Sequence, residues 1–240
     1  MATAEVSDQP GLQAPGRFYL VMALVLTAIV VFGFSHTIPY DLAAPGFPLF
    51  LVVHGVVFSA WMLLFIAQPA VAAYGSIALH RRLGWFGAGV ATSMAVLASG
   101  AILLALWSDH LPSFYPPGLF VFRGFTGVAT FSGLVVAAIR LRRRPQWHKR
   151  LMLCASIIVI APGLERSLPV PMMGPFWYYG VDGLVLALAA AGPVFDLLTQ
   201  RRIHPAYLWG VGAILSGQIF VDLVVASPLA PLVVRLVGGH

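Results

Sequence analysis

The sequence predicts an all-α fold: a polytopic transmembrane helix bundle of about seven spans, with the N-terminus cytoplasmic and the C-terminus outside. Three observations predict it. Hydrophobic residues make up 60% of the 240 positions and charged residues only 9%, and the mean hydropathy is +0.90, far from the averages of soluble domains. The apolar residues fall into runs of helix length, and the basic residues gather at alternate ends of those runs.

A backbone in hydrocarbon must satisfy its own amides, so each long apolar run reads as a helix of about 20 residues. The predicted spans are Phe18 to Ser35, Phe47 to Ala72, Leu83 to Trp107, Leu119 to Leu141, His148 to Leu168, Tyr178 to Leu198 and Ala206 to Ala226. Arg17 ahead of the first run gives it a superficial likeness to a secretory signal, but the run exceeds the usual apolar core of about 7–15 residues. It therefore reads as a retained span. The fifth run is interrupted by Pro162 and Gly163 and is followed at once by Glu165 and Arg166, which predicts a bent helix ending at Pro169. Residues Met1 to Gly16 read as a mobile tail, and Pro228 to His240, too short to span, as an outer interfacial segment. The loops His36 to Pro48, Ser108 to Gly118 and Pro169 to Trp177 are rich in Pro and aromatic residues, a composition suited to headgroups.

With the N-terminus inside, Arg17, Arg81, Arg82, Arg140, Arg142, Arg143, Arg144, Lys149, Arg150, Arg201 and Arg202 face the cytoplasm, eleven of the 14 Lys and Arg residues. Only Arg123, Arg166 and Arg235 lie on the other side, so the positive-inside rule selects this orientation. Topology also accounts for the net charge of +6. The cations form short clusters and no continuous basic face, which argues for the lipid bilayer as partner and against nucleic acid.

Ionisable side chains inside spans cost about 2.5–3.5 kcal/mol each on insertion, so each calls for a partner or a role. Arg123, Glu165, Arg166, Asp182 and Asp222 all fall at a similar depth near the outer ends of the spans, and Gln218 shares a helix face with Asp222 at i, i+4. Arginine pairs bidentately with carboxylates, so this group reads either as an ion-pair network that fixes helix order or as a polar chamber for a small polar solute or ion. In the second span His54, Trp61 and Gln68 recur every seven residues and make one stripe, with His54 about 10 Å below the outer end. His36 and Asp41 in the adjoining loop are placed to join it.

At the cytoplasmic side two segments are alike: Leu79 to Gly84 opens the third span and Trp147 to Met152 opens the fifth, each with a His before a basic pair. Interfacial anchoring explains them, and so does a pair of axial haem ligands, His80 and His148. Glycines and small residues in the third and fourth spans, such as Gly84, Gly87, Gly100, Gly124, Gly127 and Gly133, predict close helix packing. The single cysteine, Cys154, lies within an apolar run and reads as a packing residue. No phosphate loop, HExxH motif, serine elbow or intramembrane lysine is present in the sequence.

The elements His80, Arg81, Leu83, Gly84 and then His148, Arg150, Leu151, Met152, with Arg166 after them, resemble a family of uncharacterised bacterial multi-span membrane proteins. That family carries a His-Arg-x-Leu-Gly element and a later His-Lys/Arg-x-Met element; the likeness covers roughly Phe47 to Leu168. Where the family has Arg-Leu after the helix, this chain has Glu165-Arg166-Ser167-Leu168. More distantly the layout is similar to di-haem b-type membrane cytochromes, which implies haem b as a cofactor held by an inner pair, His80 and His148, and an outer pair, His36 and His54.

The leading expectation is an integral membrane protein whose outer-leaflet charged chamber, built from His54, Arg123, Glu165, Arg166, Asp182, Gln218 and Asp222, binds or moves a small polar solute or ion. In it the arginines pair with anions or carboxylates, the acids accept protons or cations, and His54 is a titratable gate. A haem-binding transmembrane electron carrier is the alternative, and a metal-dependent intramembrane hydrolase using His36, His54 and an acid is the third.

Overall fold

The computed structural model describes residues 14–73, 76–108, 111 and 114–237. Every regular element among them is helical, as a chain with no water to satisfy exposed amides requires. The helices are α1 (Ala14–Ser35), α2 (Ile38–Ala43), α3 (Leu49–Ala73), α4 (Ile77–Trp107), α5 (Pro117–Arg140), α6 (Pro145–Ile158), α7 (Ala161–Ser167), α8 (Trp177–Gln200), α9 (Pro205–Val225) and α10 (Leu229–Leu236), with one 3-10 turn at Val170–Met172. Among the described residues six of these are long and apolar enough to cross a membrane, and the pair α6 and α7, bent by 41°, makes up to seven if it is counted as one broken span. The protein is a multi-pass helix bundle of the predicted class.

The bend sits where the sequence places its helix breakers. Pro162 has no amide to donate to the preceding turn, so it is accommodated in the first turn of a new helix instead of the interior of the old one. Leu168 then adopts an extended conformation, ψ 150°, as the residue before Pro169 must, and α7 stops. Other boundaries move outward. Helix α4 begins at Ile77, capped by the Ser76 side chain, so His80, Arg81 and Arg82 lie inside the helix and not ahead of it. Helix α1 begins at Ala14, so the last three residues of the expected tail are helical, while residues 1–13 lie outside the described residues. The His36 to Pro48 loop contains the short helix α2, and the C-terminal segment contains α10, with Ala230 and Val234 buried on its inner face and Leu229, Leu232 and Leu236 exposed.

Packing follows small residues, though at a different crossing from the expected one. The tightest approach joins α1 to α7: a Cβ on Gly33 would run into the carbonyl of Gly163, and one on Gly163 would lie 3.0 Å from the Val30 Cα. Because lipid supplies no hydrophobic drive between helices, this backbone contact is what holds the short arm of the bent span in place. Gly124 does meet α4 closely, since a Cβ there would lie 2.6 Å from Ile102, whereas Gly89 and Gly133 face open space. Helices α5 and α6 lie against each other and both pack against α9, so α5, α6 and α9 enclose the best-buried residues, including Cys154, Ala155, Ile157 and Tyr207. Cys154 is pressed against Gly210, 2.5 Å from where a Cβ there would be, which makes it a packing residue. The outward faces carry Leu63, Trp85, Phe86, Leu208, Trp209 and Leu223, all exposed, as a lipid-facing surface would be.

Candidate functional site

Three charged residues of the expected group come together at the end of the bundle opposite the basic clusters. Arg123, one turn and a half into α5, donates from Nη1 to Asp182 Oδ1 of α8 at 2.5 Å, and its Nε lies 3.4 Å from Glu165 Oε1 of α7. One guanidinium thus serves two carboxylates on two other helices, and each partner relieves the desolvation of the other. Gln218 of α9 donates from Nε2 to the Asp182 backbone carbonyl at 3.4 Å. Asp222 is close enough to interact with the Arg123 charge but makes no ion pair within 4 Å among the described residues. Arg166 makes no ion pair within 4 Å among the described residues, though its charge still acts on Glu165: it donates to the Pro162 carbonyl at 3.1 Å and lies 4.3 Å from the centre of the Phe34 ring.

Below these charges is a cavity of about 340 Å³. His54, Arg123, Glu165, Arg166, Asp182 and Gln218 line its mouth, while Phe58, Met94, Phe131, Ile158, Val185 and Ile214 line its body. Arg123 to Phe131 measures about 12 Å along α5, so the cavity reaches toward mid-bundle. It is therefore an apolar pocket with a polar rim, and not polar throughout. His54 stacks on Phe58 with ring centres 4.3 Å apart, and its Nδ1 is buried with no hydrogen-bond partner among the described residues. Tyr115, in the loop beside the rim, packs edge-on against Trp177 at 4.9 Å. Its phenol is pushed well above the usual range, first by burial and then by the nearby Glu165 carboxylate, so it is a neutral hydrogen-bonding group.

The histidines divide differently from the two expected pairs. His36 is exposed at the end of α1, its Nδ1 donating to the Phe32 carbonyl at 2.8 Å, and no described ring contact joins it to His54. His80 of α4 and His148 of α6 do meet, with ring centres 6.3 Å apart and planes at 85°. His148 Nδ1 donates to the Ala138 carbonyl at 2.9 Å, and His80 Nδ1 is buried without a partner among the described residues. Among the described residues no three or more His, Cys, Asp or Glu side chains converge as metal ligands, so the hydrolase reading finds no ligand set.

The best-buried ionic site among the described residues was not among the expected ones. Arg150 and Asp196 are 1% and 0% exposed and form a two-pronged pair, Nε to Oδ2 at 3.0 Å and Nη2 to Oδ1 at 2.7 Å. The remaining Arg150 nitrogen donates to the Gln146 carbonyl and side chain, at 2.9 and 2.6 Å, and the Tyr207 ring lies 5.4 Å from the guanidinium carbon. Asp196 accepts two further bonds, from Gln200 Nε2 at 3.2 Å and the His204 amide at 3.1 Å. Arg150 reads in sequence as one cation among many at the basic end; the signal for its partner is Asp196, an acid with no neighbouring acid near the end of an apolar run.

No protein family, characterised protein or solved structure matches this chain.

Proposed function

We propose that this multi-pass membrane protein binds a small amphipathic organic cation, a protonated amine on an apolar body, in the pocket beneath Arg123, Glu165 and Asp182. The observation that carries the reading is a pair of carboxylates sharing one guanidinium at the rim of an otherwise apolar cavity. Glu165 and Asp182 share the one Arg123 guanidinium, and Tyr115 and Gln218 are hydrogen-bonding groups beside them. The His54 Nδ1 adds an unpartnered site, and Arg123 is the one rim cation in ion-pair contact with the two carboxylates, Arg166 lying outside that range. A volume of about 340 Å³ lies at the small end of ligand pockets. Apolar walls with a few convergent polar groups favour a molecule that is mostly hydrocarbon and has one charged end. The excess of Lys and Arg at the opposite end supports a bacterial plasma membrane setting in which the pocket faces outward.

Thermal unfolding of the detergent-purified protein tests this with phenylethylamine and with phenylacetate, its anionic counterpart of similar shape. The amine at tenfold its Kd should stabilise the fold by about 1.4 kcal/mol, and the acid should not. Asp182→Asn and Glu165→Gln should each remove the shift. Equal effects of amine and acid, or an amine shift that persists in both variants, would refute the reading.

A further inference from the structure

The opposite, basic end of the bundle carries arginines that no acid of the chain answers. Among the described acids Asp41, Glu165, Asp182 and Asp222 lie at the pocket end, and Asp196, the one at the basic end, is taken by Arg150. Arg81, Arg82 and Arg142 are exposed and make no ion pair within 4 Å among the described residues. Exposed cations at this end are expected of any membrane protein, but their arrangement around a single ring is not. Arg142, in the turn between α5 and α6, holds its guanidinium carbon 5.6 Å from the centre of the Trp85 ring of α4, and its Nη1 donates to the Ile139 carbonyl at 3.2 Å. Its other two nitrogens have no hydrogen-bond partner among the described residues. Arg81 and Arg82 stand four and three residues before Trp85, on the same side of α4 and one turn nearer its start.

The apolar surface beside these cations is open as well. Trp85 is 64% exposed and Phe86 61%, and a Cβ on Gly89, one turn further along α4, would meet nothing within 4 Å. Helix α4 has 31 residues, about 46 Å at the helical rise, against a hydrocarbon core of about 30 Å. Its first turns therefore stand in the headgroup layer, where indole rings settle and arginines meet phosphate. Along this side of α4 the order is two guanidiniums, then two aromatic rings, then open apolar surface. A phospholipid presents the matching order of phosphate, glycerol ester and hydrocarbon chain. A free anion would use the cations and offer nothing to the rings.

From this arrangement we infer that Arg81, Arg82, Trp85 and Arg142 form a binding site for one anionic phospholipid at the basic end of α4. The phosphate sits among guanidiniums from two elements, whose forked donors suit its oxygens, and the chain beneath it lies on Trp85 and Phe86. Arg142 is already oriented by the Trp85 ring and the Ile139 carbonyl, so less of its freedom is lost on binding. The bound lipid bridges α4 to the turn between α5 and α6.

Lipids brominated on their chains quench tryptophan fluorescence on contact, which gives the test. The full-length protein is reconstituted in phosphatidylcholine vesicles containing brominated phosphatidylglycerol or, at equal mole fraction, brominated phosphatidylcholine, and the share of quenching due to Trp85 is the difference between the wild type and Trp85→Phe. The expected result is at least twofold stronger quenching of Trp85 by the anionic lipid. Arg81→Gln/Arg142→Gln should abolish that preference, while Arg201→Gln/Arg202→Gln, which removes as much charge from the same end, should leave it. Thermal unfolding in phosphatidylcholine alone checks that the variants are folded. If Arg142→Gln disturbs the turn, Arg81→Gln/Arg82→Gln, which leaves the turn as it is, must show the same loss. No preference in the wild type, or one that survives Arg81→Gln/Arg142→Gln, overturns the inference. Equal loss in both charge-matched variants also overturns it, since that marks diffuse attraction, as does displacement by inorganic phosphate at constant ionic strength, which marks a site for the free anion. None of these outcomes bears on the amine pocket at the other end.

Discussion

Replacing Asp196 by Asn should be among the most damaging single changes to this protein. The substitution keeps the size of the side chain but removes its charge, leaving the Arg150 guanidinium at 1% exposure with no counter-ion. It also puts an amide that can donate against a group that only donates, and weakens acceptance from Gln200 and the His204 amide. Removing one partner of a buried pair costs about 3–5 kcal/mol, because the survivor stays desolvated and uncompensated. That range corresponds to at least a hundredfold in the unfolding equilibrium, at about 1.4 kcal/mol per factor of ten. Reversible denaturant unfolding in mixed micelles measures it, and a double-mutant cycle with Arg150→Met isolates the pair. The double variant Arg150→Met/Asp196→Leu should recover much of the loss, since two apolar side chains need no compensation, but not all, because Gln200 and the His204 amide lose their acceptor. A cost below about 1 kcal/mol for Asp196→Asn, in the range of an exposed pair, would show that water or lipid headgroups reach the site and that burial does not set its energetics.

In the same assay Arg123→Gln should cost near the lower end of about 3–5 kcal/mol, since it leaves Glu165 and Asp182 facing each other with 16% and 14% side-chain exposure. Arg143→Gln, on an exposed turn, should stay within about 0.5 kcal/mol, and equal effects of the two would remove the triad as a unit. His204 caps α9 by accepting the Ala206 amide on Nδ1, a bond open only to the unprotonated ring, and its pKa is lowered from the ordinary 6.5 by burial first and then by Arg150. The unfolded chain therefore binds the proton more readily, so this contribution to stability is complete above 6.5 and is lost as pH falls below it. His204→Asn, which can cap without titrating, should flatten the pH dependence of unfolding across that window; an unchanged slope would assign the dependence elsewhere.

Much of this was legible in the sequence because a bilayer enforces simple rules. Long apolar runs become helices, Pro162 and Gly163 break the fifth, and costly charges at matching depths seek one another, as Arg123, Glu165 and Asp182 do. Depth, however, is one coordinate of three. Only the rotation of each helix about its own axis decides that Arg166 goes to Phe34 and not to the acids, and that Asp222 stays at the edge of the triad. The same freedom hid the pairing of Arg150 with Asp196, 46 residues apart, and brought His80 to His148 while leaving His36 away from His54. Sequence alone determined which segments become long apolar helices and how far along each one its polar groups fall, because solvation acts on each segment separately. Tertiary packing, set by contacts such as Gly33 on Gly163, decided which of those groups touch, because that choice belongs to pairs of helices and is written in neither one alone.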